Sequence, residues 1–395
     1  MMADVYKPHI SGITNYIELN KRILEKSGHE VFVFTFGDEN YPDNEKNIIR
    51  SPGLPLLDTG YYVSFRYSKE ARKLLRTMDV VHVHHPFLSG SLALRYCRPR
   101  GIPIVFTNHT RYDLYARVYI PVLPDVIGET ALEAYLPAFC HACDLVISPS
   151  AGMKEVLKKL GVTEPIDVVP NGVDLEPLNA NIKPFERISL GIKPDELVLV
   201  YSGRLGPEKN LTFLVRSFAG VAQTFDYVHL LLVGDGPERD NLEDHARHME
   251  IISRMHITGM VPHSEVYSYL LGSDIFVTAS VTEVHPLSVI EAMAAGLPVV
   301  GINSPGIGDT IEDGKTGLLA KEEDIAAFTA KLVRLISEKE WRKKMGLNAR
   351  QAAQNYSIEK TSEIMIQKYQ SVITKKSHQG TGIQVMVTRF VDRWR

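Results

Sequence analysis

Short, mostly apolar runs alternate along this chain with longer stretches whose apolar positions recur every three or four residues. The runs Glu30–Phe34, Val80–Val83, Pro103–Thr107, Leu145–Ser148 and Ile166–Val169 are mostly apolar, interrupted within by His82 and Asp167, as parallel strands buried on both faces require. Between them, Ile13–Lys26, Tyr67–Arg76, Ser89–Arg98 and Ala151–Leu160 read as amphipathic helices. A turn at Pro170-Asn-Gly172 closes this half, and the scheme begins again. Strands are expected at Leu197–Tyr201, His229–Val233, Ile257–Thr258, Ile275–Ala279 and Val299–Gly301, with closing helices over Glu338–Asn355 and Ile358–Thr374. Strand and helix in alternation predict an α/β chain built on parallel sheets.

Composition adds a domain count and removes several function classes. A chain of 395 residues, 44% apolar and 23% charged, is sized for two domains. A net charge of −3 carries no nucleic-acid signature. The three cysteines, Cys97, Cys140 and Cys143, predict a reducing compartment, and Cys140-His-Ala-Cys143 reads as packing at a helix end. No apolar run reaches the ~18 residues of a spanning helix, so any membrane contact is expected to be peripheral and cytoplasmic.

The densest chemistry lies in residues 279–301. Glu283 follows a strand and Glu291 falls in the first turns of an Ala-rich helix that begins near Pro286 and stops at Gly296-Leu-Pro298. Both carboxylates then flank the positive end of a helix, in the crevice at a strand's carboxyl end. Such a crevice suits a polyhydroxylated ligand bearing phosphate. Arg204 and Lys209 follow another strand, joined by a Gly206-Pro207 turn that aims both cations toward the same crevice. No Asp-x-Asp pair or His/Asp cluster has metal-ligand spacing, so fixed cations are left to stabilise a departing diphosphate.

These blocks resemble the retaining glycosyltransferases of family four, which have the GT-B fold. The likeness is carried by Glu283 and Glu291 with Ala-Met-Ala-Ala-Gly-Leu-Pro-Val-Val after them, by Tyr-Ser-Gly-Arg-Leu-Gly-Pro-Glu-Lys-Asn at 201–210, and by Val-Pro-Asn-Gly-Val-Asp at 169–174. Val-Gly-Asp-Gly-Pro-Glu at 233–238, which contains Gly234, completes the set. The resemblance runs from residue 3 to about 375. It implies two Rossmann-like domains facing across a cleft, with a C-terminal helix crossing back to the first. The expected segments are an acceptor domain at 1–175, a donor domain at 176–355, a closing helix at 356–375 and a flexible tail at 376–395. The start of the chain lies where the family's first strand should be ending, which would leave the ladder groups of its neighbours unpaired.

By the same resemblance, Arg204 and Lys209 hold the diphosphate, Glu283 binds the donor sugar's hydroxyls and Glu291 binds the ribose. His109, ending the strand of residues 104–107, takes the place of an active-site histidine near the donor sugar. Gly12 lies in the family's glycine loop, where backbone approaches phosphate. Where many members read aromatic-Gly after the first glutamate, this chain has His285-Pro286. Proline donates no N–H, so Leu287 and Ser288 are expected to supply the backbone contact and His285 to touch the sugar. Without a convincing covalent nucleophile, front-face displacement is expected, with no cofactor beyond the nucleotide sugar.

The acceptor is read from charge. Residues 50–117 hold eleven basic and four acidic side chains, an excess of seven in a chain of negative net charge. Lys69, Arg72, Lys73, Arg76 and Arg111 are interleaved with Tyr61, Tyr62, Phe65, Tyr67, Tyr112, Tyr115 and Tyr119, which suits an anionic membrane surface. His84-His85-Pro-Phe-Leu-Ser-Gly and Asn-His109-Thr-Arg111-Tyr112 look like the diacylglycerol glucosyltransferases of the family, with His84 and His85 expected to line the acceptor site. UDP-glucose and a lipid acceptor lead this reading. The alternatives are a saccharide or polyprenyl-linked acceptor, GDP-mannose as donor, or a non-catalytic sugar-nucleotide-binding protein. The basic, aromatic tail at 383–395, with Phe390 and Trp394, is a second candidate membrane contact.

Overall fold

A computed structural model describes residues 1–9, 11–56, 61–114, 125–179 and 182–379. Tyr115, Arg117, Tyr119 and the tail at 383–395 lie outside these residues. The chain divides into two compact units, Met1–Gly172 with Ile358–Arg395, and Val173–Ser357.

In the first unit, strands β1 (Val33–Phe36), β2 (Ile48–Ser51), β5 (Val81–Val83), β6 (Ile104–Thr107), β7 (Leu145–Ser148) and β8 (Ile166–Val168) are joined by parallel pairings. Two further strands, β3 (Leu54–Pro55) and β4 (Tyr62–Val63), form a separate antiparallel pair. The expectation of unpaired ladder groups at the start of the chain is corrected. Met2 bridges both Phe34 and Val83 in parallel, and Met2 N donates to His82 O at 2.7 Å, Ala3 N to Phe34 O at 3.0 Å and His84 N to Met2 O at 3.0 Å. Three residues thus take the central place and weld the β1–β2 pair to β5–β8. Strand order is then β2, β1, Met1–Ala3, β5, β6, β7, β8, and the direction of winding switches beside residues 1–3.

The second unit holds one parallel sheet of β9 (Leu197–Ser202), β10 (Val228–Val233), β11 (Met255–Ile257), β12 (Ile275–Thr278), β13 (Val299–Ile302) and β14 (Gly317–Ala320). Its order, β11-β10-β9-β12-β13-β14, is that of a dinucleotide-binding sheet. β9 and β10 are buried along their whole length, because helices cover both faces, and for that reason they read as nearly continuous apolar runs, interrupted in β10 by His229. The winding reverses between β9 and β12, so the loops after these two strands open a crevice at their carboxyl ends.

The last helix, Ile358–Gln379, belongs to the first unit. Met365 and Val372 pack with Val105, Ile147 and Val169, and each such side chain contributes about 1.5–3 kcal/mol on burial. Ser362 Oγ donates to Asn20 Oδ1 at 3.2 Å. The expected segment limits need correcting. The units part at 172/173 and 357/358, and the helix continues past 375, where Lys376 Nζ lies 2.6 Å from Asp144 Oδ1 and holds residues assigned to a tail. Strands β2 and β14 and the helix Asp125–Ala142 had no expectation attached.

Candidate active site

The donor-type residues gather at the switch point of the second unit. Gly203, at the end of β9, and Gly234, at the end of β10, approach so closely that a Cβ on Gly234 would stand 2.0 Å from Gly203 O. Gly234 therefore serves backbone packing, a use the motif alone did not distinguish from ligand contact. From Gly206 the chain makes a single helical turn over Pro207–Lys209, and Asn210 leaves it in the left-handed region at φ 53°. Three bonds stitch this loop to the one after β12. Asn210 Nδ2 donates to Ala279 O at 3.3 Å, and Ser280 Oγ and Thr282 Oγ1 donate to Glu208 O at 3.4 and 3.2 Å.

The stitching brings Lys209 Nζ to 2.7 Å from Glu283 Oε1, with the two side chains 20% and 24% exposed. The backbone of Glu283 is set from beneath, since a Cβ on Gly306 would lie 2.3 Å from Glu283 O. Arg204 does not join this pair: its side chain is 62% exposed and its Nη1 meets Glu208 Oε1 at 3.3 Å. Pro286 caps the helix Leu287–Ala294, and the first intrahelical bond runs from Ile290 N to Pro286 O. The N–H groups of Leu287 and Ser288 precede that bond and point out of the helix start, as donors to a ligand would. Glu291, 6% exposed, accepts from His263 Nε2 at 2.8 Å. His285 is a correction. Its ring is buried edge-on against Tyr356, centroids 5.1 Å apart, and burial pushes its pKa down to about 4, against the expectation of a ring open to the sugar.

In the first unit, histidines gather beside its own switch point. His84 Nδ1 lies 3.1 Å from His109 Nε2, and Tyr16 meets the His109 ring edge-on at 4.6 Å. Behind them, His82 bonds Tyr369 Oη at 2.6 Å through Nδ1 and Thr107 Oγ1 at 2.7 Å through Nε2, which ties the last helix to β5 and β6. Desolvation, reinforced by the neighbouring imidazoles, drives His82 and His84 well below the ordinary histidine range, and His109 is lowered for the same first reason. His85 Nδ1 accepts from Asp4 N at 3.2 Å, while Asp4 Oδ1 accepts from Ser89 N at 2.7 Å. His84 and His85 are thus buried framework, against the expectation that they line an acceptor site. Gly12 starts the helix Gly12–Lys26 behind the Ser11 cap, and a Cβ there would meet nothing within 4 Å.

Two family descriptions match the chain: "Glycosyltransferase Family 4" over residues 10–177 and "Glycosyl transferases group 1" over 182–352. An alpha-monoglucosyldiacylglycerol synthase of Streptococcus pneumoniae is 32% identical over 338 residues, 82% of this chain and 76% of that one. The chain belongs to glycosyltransferase family four. Its fold matches that of a sucrose-phosphate synthase from Thermosynechococcus elongatus, with TM-score 0.77, 21% identity and coverage of 95% and 99% of the two chains. It also matches Anabaena HepE in complex with UDP-glucose, with TM-score 0.75, 18% identity and coverage of 94% and 98%. Two Rossmann-like domains of the GT-B type are therefore shown.

This glycosyltransferase keeps only part of the basic face expected of its first domain. Lys69 and Lys73 are exposed on the short helix Lys69–Leu75 and Arg76 at its C-cap, while Ala71 and Leu75 are buried and Arg72 is half-buried. Phe65 and Leu54, from the segments that precede this helix, are 78% and 77% exposed. Arg50 and Arg111 are withdrawn from this face by bidentate pairs with Asp43 and Asp113. Tyr112 is buried with its ring edge-on to Phe87. Among the described residues no helix is long and apolar enough to cross a membrane. Gly306, Thr282 and His263 entered no sequence expectation, because each acts through a partner at least 23 residues away or through its backbone alone.

Proposed function

We propose that this chain is a retaining hexosyltransferase that carries glucose from UDP-glucose to a membrane lipid of the diacylglycerol type. The observation that carries the reading is the Lys209–Glu283 contact at the switch point of the second unit. It sets a cation for a diphosphate beside a carboxylate for sugar hydroxyls. One relative and one fold neighbour support the details. One is named for making an alpha-glucosyldiacylglycerol, and the other is held in complex with UDP-glucose. An alpha product from an alpha-linked donor is retention.

In the proposed reaction, the bond from the sugar C1 to the diphosphate oxygen breaks. The acceptor hydroxyl oxygen bonds C1 from the same face, and its proton passes to the departing diphosphate oxygen. Lys209, Arg204 and the N–H groups of Leu287 and Ser288 stabilise the negative charge that develops. Glu291 accepts from the ribose, and no cofactor or metal ion is part of the proposal. Lys69, Lys73 and Arg76 attract anionic headgroups, each by about 1 kcal/mol near a surface, and Phe65 and Leu54 supply apolar contact. Such an enzyme works peripherally on the inner face of the membrane. Offering UDP-glucose and GDP-mannose with diacylglycerol in anionic vesicles, and with soluble saccharides, tests the reading. Alpha-glucosyldiacylglycerol is the expected product; a glycosylated saccharide with no lipid product overturns the acceptor.

A further inference from the structure

Glu291 is buried in the second turn of the helix Leu287–Ala294, and its Oε1 accepts from His263 Nε2 at 2.8 Å. No hydrogen bond is made by its Oε2 among the described residues. His263 is itself well seated. It opens the helix His263–Leu271, and its ring meets Tyr267 edge-on with centroids 5.9 Å apart. Tyr267 is buried, and its hydroxyl donates to Asp174 O at 3.0 Å, at the start of the second unit. A line of contacts therefore runs from the unit's first residues through two rings to one carboxylate oxygen.

A carboxylate has two oxygens and can turn about its last bond, so it recognises hydroxyls in a fixed place only when something holds its plane. We propose that His263 is a positioning residue that occupies Oε1 of Glu291 and so aims Oε2 at the ribose hydroxyls of the nucleotide donor. The inference rests on the donor reading above, in which Glu291 meets the ribose. The neutral Nε2–H tautomer suffices for the bond, because the carboxylate needs one N–H and no full charge. A phenylalanine at 263 retains the ring against Tyr267 while removing the donor. A glutamine restores an N–H at similar reach.

The test compares wild type, His263→Phe, His263→Gln and Glu291→Gln with UDP-glucose and with its 2′,3′-dideoxyribose analogue. UDP affinity is measured by calorimetry alongside. His263→Phe should raise KM for UDP-glucose roughly ten-fold, the scale of one hydrogen bond to a charged group, with kcat and melting temperature nearly unchanged. The same variant should leave KM for the dideoxy analogue at the wild-type value, and His263→Gln should recover most of the affinity. An equal rise in KM for both donors overturns the inference, as does a change confined to kcat or to melting. Glu291→Gln with an unaltered KM overturns the donor reading itself. A raised KM for Glu291→Gln with an unaltered one for His263→Phe overturns only the role of His263.

Discussion

Lys209 Nζ stands 2.7 Å from Glu283 Oε1, although 74 residues separate them. They meet because the loops after β9 and β12 leave neighbouring strands at the point where the winding reverses, and Glu208 O accepts from both Ser280 and Thr282.

Removing either cation should cost the chemical step more than the fold. Lys209→Ala is expected to lower kcat about 10²–10³-fold, the usual loss when one preorganised charge-stabilising group is deleted. Stability should shift by only about 1 kcal/mol or less, since both members of the pair are partly solvated. Arg204→Ala, whose side chain is exposed, should leave thermal melting unchanged and still slow turnover. Steady-state rates beside melting curves check both, and near-normal rates would remove the account of the leaving group.

Two glycines should separate packing from ligand contact. Gly234→Ala places a Cβ against Gly203 O at a φ of 148° that L-residues rarely adopt, so the variant should lose about 2 kcal/mol or more of stability. Gly12→Ala meets no atom and lies at a helix start, so it should melt at or above the wild-type temperature. A raised KM for the donor in that stable variant would place phosphate near Gly12; an unchanged KM would make it a helix-start residue only.

Stability should fall on acidification. His82, His84 and His285 are buried, with pKa values driven down by desolvation, His285 to about 4. Below the unfolded value near 6.5 the unfolded chain binds protons that the folded one refuses, so stability rises with pH across that window and is lost as pH drops through it. At pH 5.5 a buried neutral ring such as His285 costs on the order of 1 kcal/mol relative to pH 8, and His82 and His84 shift stability in the same direction. Urea midpoints at the two pH values measure it, and a flat profile would contradict buried neutral rings.

Binding to vesicles should depend on salt and on two exposed apolar side chains. Anionic vesicles are expected to sediment the protein at low salt and release it at high salt. Replacing Lys69, Lys73 and Arg76 with alanine should abolish the salt-sensitive part, and Phe65→Ser with Leu54→Ser the remainder. Equal sedimentation by all variants would locate the contact elsewhere.

Turnover should persist in EDTA, because the proposed charge stabilisation comes from Arg204 and Lys209. Loss of activity restored by a divalent cation would require a metal ion in the reaction.

The linear order of residues determined a great deal by itself. Buried parallel strands are nearly continuous in apolar residues, so β9, β10 and β12 could be read within a residue or so from their runs, and the loops carrying Arg204, Lys209 and Glu283 followed from strand ends. Short strands with a mixed pattern, such as Ile48–Ser51 and Gly317–Ala320, gave no such signal. Tertiary structure alone decided which side chains meet. Arg111 and Tyr112 look like a surface in sequence, yet a carboxylate two positions on and an aromatic ring 25 residues away take them out of it. His285 sits beside Pro286 at the helix entrance, but its ring is buried edge-on to Tyr356, 71 residues away. His263 reaches Glu291 only because the helix after β11 and the helix after β12 begin on the same side of one twisted sheet. Periodicity reports which face of an element is buried; the partner across that face comes from strand order and loop packing, which no local window contains.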